Sequence, residues 1–297
     1  MGGGIAWLAA EKGVPIRVKD IALPALESAM ETAGGVWAKS VKRRRLTRRE
    51  RDRRVEQLSF TLDYTGFNTV DLVLEAVVEN LEVKRQVVAE LEAAIGPDAV
   101  VASNTSSLRI ADIASEARRP ERVVGLHFFN PVHRMPLVEV VAGPQSDATA
   151  VATAYRLALD LGKTPILVKD GPGFLVNRLL AFYLGEALHL LENGADPAGV
   201  DRLLVDFGMP MGPFELLDQI GLDVAEKVTH VMAEAYGDRL PPQACLGRLV
   251  ADGYLGKKRE NGFYGYERGK RGEPTKKAHR AAGRPARREF PDGDVVD

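Results

Sequence analysis

The sequence predicts an α/β fold, a doubly wound parallel sheet whose first strand is missing, joined to a second, all-α domain. Three observations carry this. Short apolar, strand-like runs alternate with amphipathic helical ones from IRVKD to TPILVKD, the order that parallel strands need because each crossover requires a helix. The chain opens on MGGGIAWLAAEKG, glycines running into a helix-like segment with no strand ahead of it. From Asp170 onward the apolar period becomes helical, punctuated by Pro, Gly and Asn.

Each element follows in order. IAWLAAEK has helical spacing, Gly13 is its stop, and IRVKD alternates as a short strand ending on an acid. The stretch from there to about Leu62 has a helical pattern, interrupted at Gly34 and Gly35 to give two helices projecting from the sheet, the second very basic. Strand-like runs then return as LVLEAV, AVVASNTS, VVGLHFF and LVEVV, and VKRQVVAELEAAIG between the first two predicts an amphipathic helix ending at Gly96. A further strand, TPILVKD, closes the region. The turn chemistry of DGPG sets a boundary near Lys169 to Pro172, giving domains 1–169 and 170–267. Residues 268–297, rich in Gly, Pro and charge, are expected to be a disordered tail. There is no fixed-period repeat.

Composition bounds the function. At 297 residues, 45% hydrophobic and 27% charged, the chain has the make-up of a soluble two-domain protein. A formal net charge of −1 gives no global attraction to nucleic acid, although basic residues crowd into KRRRLTRRERDRR and the final segment. The single Cys245 cannot form an intramolecular disulfide. No apolar run approaches the ~20 residues of a membrane helix, and the first residues lack the features of a secretory signal. The expectation is a cytoplasmic protein with no membrane partner and no specific nucleic-acid partner.

The opening glycines suggest a cofactor. A dinucleotide-binding turn needs glycines between a first strand and a helix N-terminus, so that backbone amides approach the pyrophosphate and the helix dipole favours it. Gly2, Gly3 and Gly4 read as the second half of such a turn. Asp20 stands where a carboxylate holds both ribose hydroxyls of NAD and repels the extra phosphate of NADP. The local alternative is that the glycines serve packing and that Asp20 caps a helix starting near Ala22.

SNTSSL, GLHFFNPVHRMPLVEVV, GPGFLVNRLL, MPMGPFELLDQIGLD and GKKRENGFY resemble, in the same order, the motifs of the 3-hydroxyacyl-CoA dehydrogenase family. The resemblance runs from roughly Met1 to Glu267. VHRMPLVEVV and GKTPILVKDGPGFLVNR are most similar to the dehydrogenase portion of bacterial multifunctional fatty-acid oxidation proteins. It implies a Rossmann-like first domain, a helical second domain, NAD as cofactor, and oxidation of (S)-3-hydroxyacyl-CoA to 3-oxoacyl-CoA in fatty-acid beta-oxidation. Those larger proteins carry a hydratase region upstream and a second helical repeat downstream, and neither is in this sequence. The chain is therefore expected to be a fragment or to have a miscalled start, one that falls inside its own cofactor site. The rival expectation is a noncatalytic remnant or CoA-binding scaffold that cannot hold NAD. A third reading is a dehydrogenase of small free hydroxy acids.

Oxidising a secondary alcohol needs a base for the hydroxyl proton while hydride leaves the same carbon. His127, at the end of VVGLHFF, is the candidate; in isolation it reads as a buried histidine satisfied by backbone, and the match to GLHFFNP reverses that. Glu139 on the next strand is the candidate partner for the imidazole, since an acid between apolar neighbours is costly to bury unpaired; otherwise it is a solvent-facing strand position. Ser106 reads as a bridge between substrate oxygen and nicotinamide, or as an ordinary Ser/Thr turn. The resemblance makes Asn177 a hydrogen-bond donor to the substrate, and it adds Glu79, Lys84, Ser106, Asn130 and Lys258 to the cofactor site. Lys42 and Arg43, with Arg44 and Arg45, lie where the family holds its CoA tail, although such a run is usually a solvated helix face. MGPFELLD is expected to be a packing element of the helical domain and part of a homodimer interface. No metal ligands are assigned.

Overall fold

A computed structural model of the chain describes residues 1–275 and residue 295. The chain divides into two compact units, Met1–Leu175 and Val176–Asp297.

The first unit begins with α1 (Gly2–Glu11), stopped by Gly13 in the left-handed region, and β1 (Ile16–Lys19). α2 (Leu23–Lys42) and α3 (Arg48–Val55) follow, then β2 (Leu58–Thr61). The expected break at Gly34 and Gly35 does not occur. α2 passes through both, because two interior glycines cost only about 1 kcal/mol each while buried Leu26, Ala33 and Trp37 hold the helix down. The chain turns instead at Arg44, φ +54. β2 is a second correction, since that stretch has a helical expectation. LSFT is a strand because it pairs in parallel with β1, Ile16 opposite Leu58 through Lys19 opposite Thr61, and tertiary pairing overrides local preference.

β3 (Leu72–Glu75), α4 (Leu81–Ala94), β4 (Val100–Ser103), α5 (Ile110–Ala114), β5 (Val123–Phe128), β6 (Leu137–Ala142), α6 (Ala148–Asp160) and β7 (Thr164–Lys169) build a five-stranded sheet in the order β3-β4-β5-β6-β7. It is parallel from β3 to β5, but β6 runs antiparallel to β5. Residues 129–136 are too few for the crossover of a dozen or so residues that a parallel neighbour requires. α6 then returns the chain so that β7 is parallel to β6. The β1–β2 pair and the five-stranded sheet are not hydrogen-bonded to each other. α1 joins them, with Ile5, Leu8 and Ala9 packed in one cluster with Val124, Leu126, Val138 and Val140 and with partly buried Ile16 and Leu72. Gly3 lets α2 approach α1 closely, as a Cβ there would lie 3.1 Å from the Cα of Ala29.

The second unit holds α7 (Val176–Glu192), α8 (Pro197–Phe207), α9 (Pro213–Ile220), α10 (Leu222–Tyr236) and α11 (Ala244–Ala251), then a hairpin of β8 (Tyr264–Glu267) and β9 (Lys270–Pro274). The hairpin is an addition to the all-α expectation. It also removes residues 268–275 from the expected disordered tail, the remainder of which lies outside the described residues apart from residue 295. Two buried aspartates fasten this unit. Asp201 of α8 accepts the N–H groups of Phe214 and Glu215 at 2.9 and 3.0 Å, capping α9 from another helix. Asp218 of α9 accepts the N–H groups of Phe263 and Tyr264 at 2.8 and 2.9 Å and the hydroxyl of Tyr266 at 3.1 Å. Gly262 permits this approach, since a Cβ there would sit 2.0 Å from Asp218 Oδ1. MGPFELLD is thus a packing element that carries its own buried acid.

Burial raises Asp218 to about 6 from an ordinary 3.8, against the lowering effect of the Tyr264 and Phe263 amides. Asp201 is raised for the same reason. The folded state therefore holds protons that the unfolded state releases between pH 6 and 4. Stability from this group rises as pH falls through that window and is lost as pH rises through about 6. Calorimetry on the chain should show the second unit gaining about 1 kcal/mol from pH 7 to 5, a gain that Asp218→Asn removes. No change with pH in the unsubstituted chain would refute the shift.

Candidate active site

His127 and Glu139 are direct cross-strand partners in the antiparallel β5–β6 pair. Side chains in such register stand on one face of the sheet within reach of each other. His127 Nδ1 lies 2.8 Å from Glu139 Oε2, with His127 5% exposed and Glu139 0%. A carboxylate oxygen accepts, so Nδ1 donates, and in the neutral ring Nε2 then carries the lone pair. The other oxygen, Oε1, accepts the N–H of Leu175 at 3.0 Å. The His127 ring contacts Phe129 at 4.5 Å between centroids and Phe174 at 5.9 Å. A base with one oriented nitrogen and one basic nitrogen is what alcohol oxidation requires.

The loops after β3 and β4 meet at the same sheet edge as the end of β5, since the three strands are parallel. Glu79 Oε1 accepts from Thr105 Oγ1 at 2.7 Å and from the backbone N–H groups of Ser106 and Ser107 at 2.9 and 3.1 Å. Burial would raise the Glu79 carboxyl, but those hydrogen bonds and the Lys84 charge outweigh it and hold it below its ordinary value. Lys84 is 1% exposed, with its ammonium 2.9 Å from Glu75 Oε1 and 3.5 Å from Glu79 Oε2. It lies beneath the loop as a support for two carboxylates, not on the surface as an open cation. Ser103 completes the cluster by donating to Glu75 Oε2 at 2.6 Å. Asn104 Oδ1 accepts the N–H of Phe128 at 2.9 Å, tying the end of β5 to this loop.

Gly2, Gly3 and Gly4 form the first turn of α1 itself, with Met1 at the N-cap, no side-chain cap and no acidic residue in that turn. Asp20 follows β1. Because α1 turns back into β1 through residues 12–15, the start of the helix and Asp20 lie at one end of the pair. A glycine first turn without an acid, beside a carboxylate at a strand end, fits a dinucleotide: amides toward phosphate, carboxylate toward ribose. Asp20 Oδ1 also accepts the N–H of Ala22 at 3.1 Å, but α2 starts at Leu23 with Ala22 as its N-cap and no side-chain cap, so Asp20 makes a turn ahead of the helix and the capping alternative is not what the structure shows.

Asn130 is exposed and begins the loop before β6. Lys163 pins that loop through the carbonyls of Val132 and Met135 at 2.5 and 2.7 Å, and burial, with the Lys12 charge, lowers its pKa. Asn177 sits in the first turn of α7. Lys258 is ion-paired with Asp223 inside the second unit. Lys42 and Arg43 are exposed at the end of α2, with no ion pair among the described residues.

The sequence reading missed Glu75, Ser103, Asn104, Lys163 and Phe174. Glu75 had a signal: an acid at the end of the apolar run LVLE, whose burial demands a cation such as Lys84. Ser103 ends β4 and the rest are loop or turn residues, and their roles arise from contacts distant in sequence.

A Rossmann-like sheet bearing a histidine–carboxylate pair near its strand ends has the architecture of nucleotide-dependent oxidoreductases. The family model of the 3-hydroxyacyl-CoA dehydrogenase NAD binding domain matches residues 1–171, and that of the C-terminal domain matches residues 173–266. The chain belongs to the 3-hydroxyacyl-CoA dehydrogenase family. It is 45% identical over 276 residues to the fatty acid oxidation complex subunit alpha of Idiomarina loihiensis, covering 93% of this chain and 39% of that protein. The chain thus spans about two fifths of that relative's length. Among solved structures it resembles M. tuberculosis FadB2, with TM-score 0.85 and 40% identity over 90% of this chain and 95% of that one. It also resembles the (S)-3-hydroxybutyryl-CoA dehydrogenase PaaH1 from Ralstonia eutropha, with TM-score 0.86 and 34% identity over 90% and 96%. No described helix is long and apolar enough to cross a membrane.

Proposed function

We propose that the chain oxidises (S)-3-hydroxyacyl-CoA to 3-oxoacyl-CoA within fatty-acid oxidation. The observation that carries this is the 2.8 Å contact between His127 Nδ1 and Glu139 Oε2 near the end of β5. His127 accepts the substrate hydroxyl proton at Nε2, and Glu139 holds the Nδ1–H and stabilises the imidazolium that forms. NAD, when bound, supplies the hydride acceptor. Gly2, Gly3, Gly4 and Asp20 hold its pyrophosphate and ribose, while Glu79, Ser106 and Asn130 shape the nicotinamide side. Lys84 acts through Glu79, and Lys258 is assigned to the cofactor by family resemblance. Ser106 and Asn177 position the substrate oxygen. Lys42 and Arg43 take the phosphates of CoA, supported by their exposure and charge. Exposed Leu179, Val205 and Phe207 on the second unit offer apolar surface for a homodimer. We infer a cytoplasmic location from the sparing use of cysteine, one in the whole sequence.

The test is fluorescence titration of the purified chain with NADH, followed by assay of 3-hydroxybutyryl-CoA and free 3-hydroxybutyrate with NAD. Saturable NADH binding and turnover preferring the CoA ester are expected. Absence of NADH binding would favour the remnant reading, and preference for the free acid would move the substrate class to small hydroxy acids.

A further inference from the structure

Phe174 has φ +50 although it is not glycine. A bulky side chain keeps that backbone only where its surroundings enforce it, and such outliers collect at functional sites. Its side chain is 2% exposed in the core of the first unit. Gly173 before it is also left-handed, φ +69, and the N–H of Phe174 donates to the Gly171 carbonyl at 3.0 Å. The turn cannot relax by sliding, because Asp170 at its start accepts the N–H groups of Ile110 and Ala111, each at 2.9 Å.

Two contacts lead from this turn to the proposed base. The Phe174 ring lies 5.9 Å from the His127 ring at an interplanar angle of 56°. The next amide, Leu175 N–H, donates to Glu139 Oε1, the oxygen not facing the imidazole. One left-handed residue thus aims a ring at the histidine and an amide at its carboxylate. An extended or helical φ at Phe174 would send the two in other directions. Filling the core requires only the ring, and it does not explain the amide.

We propose that the Phe174–Leu175 turn is a positioning device for the His127–Glu139 pair: the amide fixes the carboxylate plane, the ring fixes the imidazole plane, and the left-handed backbone couples them. The proposal rests on the reading of His127 as the base, and Phe174 acts through His127 without touching the reacting atoms.

The test compares Phe174→Gly, which suits the backbone but lacks the ring, with Phe174→Tyr, which keeps both, in the full chain. Phe174→Gly should lower kcat about 10-fold or more with KM and NADH affinity held within about 2-fold, and Phe174→Tyr should restore most of the turnover. Independently, ¹⁵N-histidine NMR should show a downfield, slowly exchanging His127 Nδ1–H, identified by its loss in His127→Gln. That proton should exchange faster in Phe174→Gly and slowly in Phe174→Tyr. Phe174→Leu replaces the glycine variant if the latter does not fold. An Nδ1–H exchange rate unchanged from the unsubstituted chain in the ring-deleted, folded variant would overturn the proposal. If the unsubstituted chain shows no turnover, the enzymatic reading fails, and the exchange measurement still decides the positioning role.

Discussion

Replacing His127 with glutamine should lower kcat by about 10²–10⁴-fold, the usual contribution of a positioned general base. NADH affinity should stay close to that of the unsubstituted chain. Glutamine is the informative choice because Glu139 is fully buried and holds His127 Nδ1 at 2.8 Å. Glutamine keeps a donor for that carboxylate but offers no comparable base. Alanine would add a second effect: it takes the imidazole N–H away from the buried Oε2 of Glu139, and it empties the space beside Phe129 and Phe174. Truncating one member of a buried pair costs about 3–5 kcal/mol, so the alanine variant should lose stability as well as turnover. Steady-state kinetics, fluorescence titration and thermal unfolding separate the two effects. Glutamine-variant turnover within a few-fold of the unsubstituted chain would remove His127 from the role of base.

Lys84→Met should destabilise the first unit by about 3–5 kcal/mol. The ammonium it removes is 1% exposed and serves Glu75, which is equally sealed, together with the more open Glu79. Glu75 would keep its hydrogen bonds from Ser103 and the Val77 amide but lose the buried cation paired with it. At about 2–4 °C per kcal/mol for a unit of this size, the transition should fall by roughly 10 °C in calorimetry. The double variant Glu75→Gln with Lys84→Met removes both charges and should recover a large part of the loss. A single variant within about 1 kcal/mol of the unsubstituted chain would show that the cluster is hydrated or relaxes freely.

The sheet edge was legible in the sequence because buried strands are written as short apolar runs: VVAS, VVGLHF and LVEVVA stand out whatever surrounds them. His127 and Glu139 were legible for a related reason, as polar residues inside such runs. LSFT was not, since its strand character comes from pairing with Ile16–Lys19, which a local pattern does not contain. Gly34 and Gly35 misled because a glycine breaks a helix only when nothing holds the helix on either side, and here Ala33 and Trp37 do. The Glu79 tether escaped notice because its donors lie more than twenty residues further along the chain. Phe174 gave no signal at all, as a positive φ at phenylalanine follows from packing and not from residue type.

The antiparallel ladder between β5 and β6 places His127 opposite Glu139 by backbone register alone. The pairing of imidazole and carboxylate is therefore inherited from the alignment of two strands, while Phe129 and the Phe174–Leu175 turn bear on the planes of the two groups. A chain that lengthened, shortened or rewrote the connection beyond Asn130 would keep the histidine–carboxylate couple in every version that holds the strands in step.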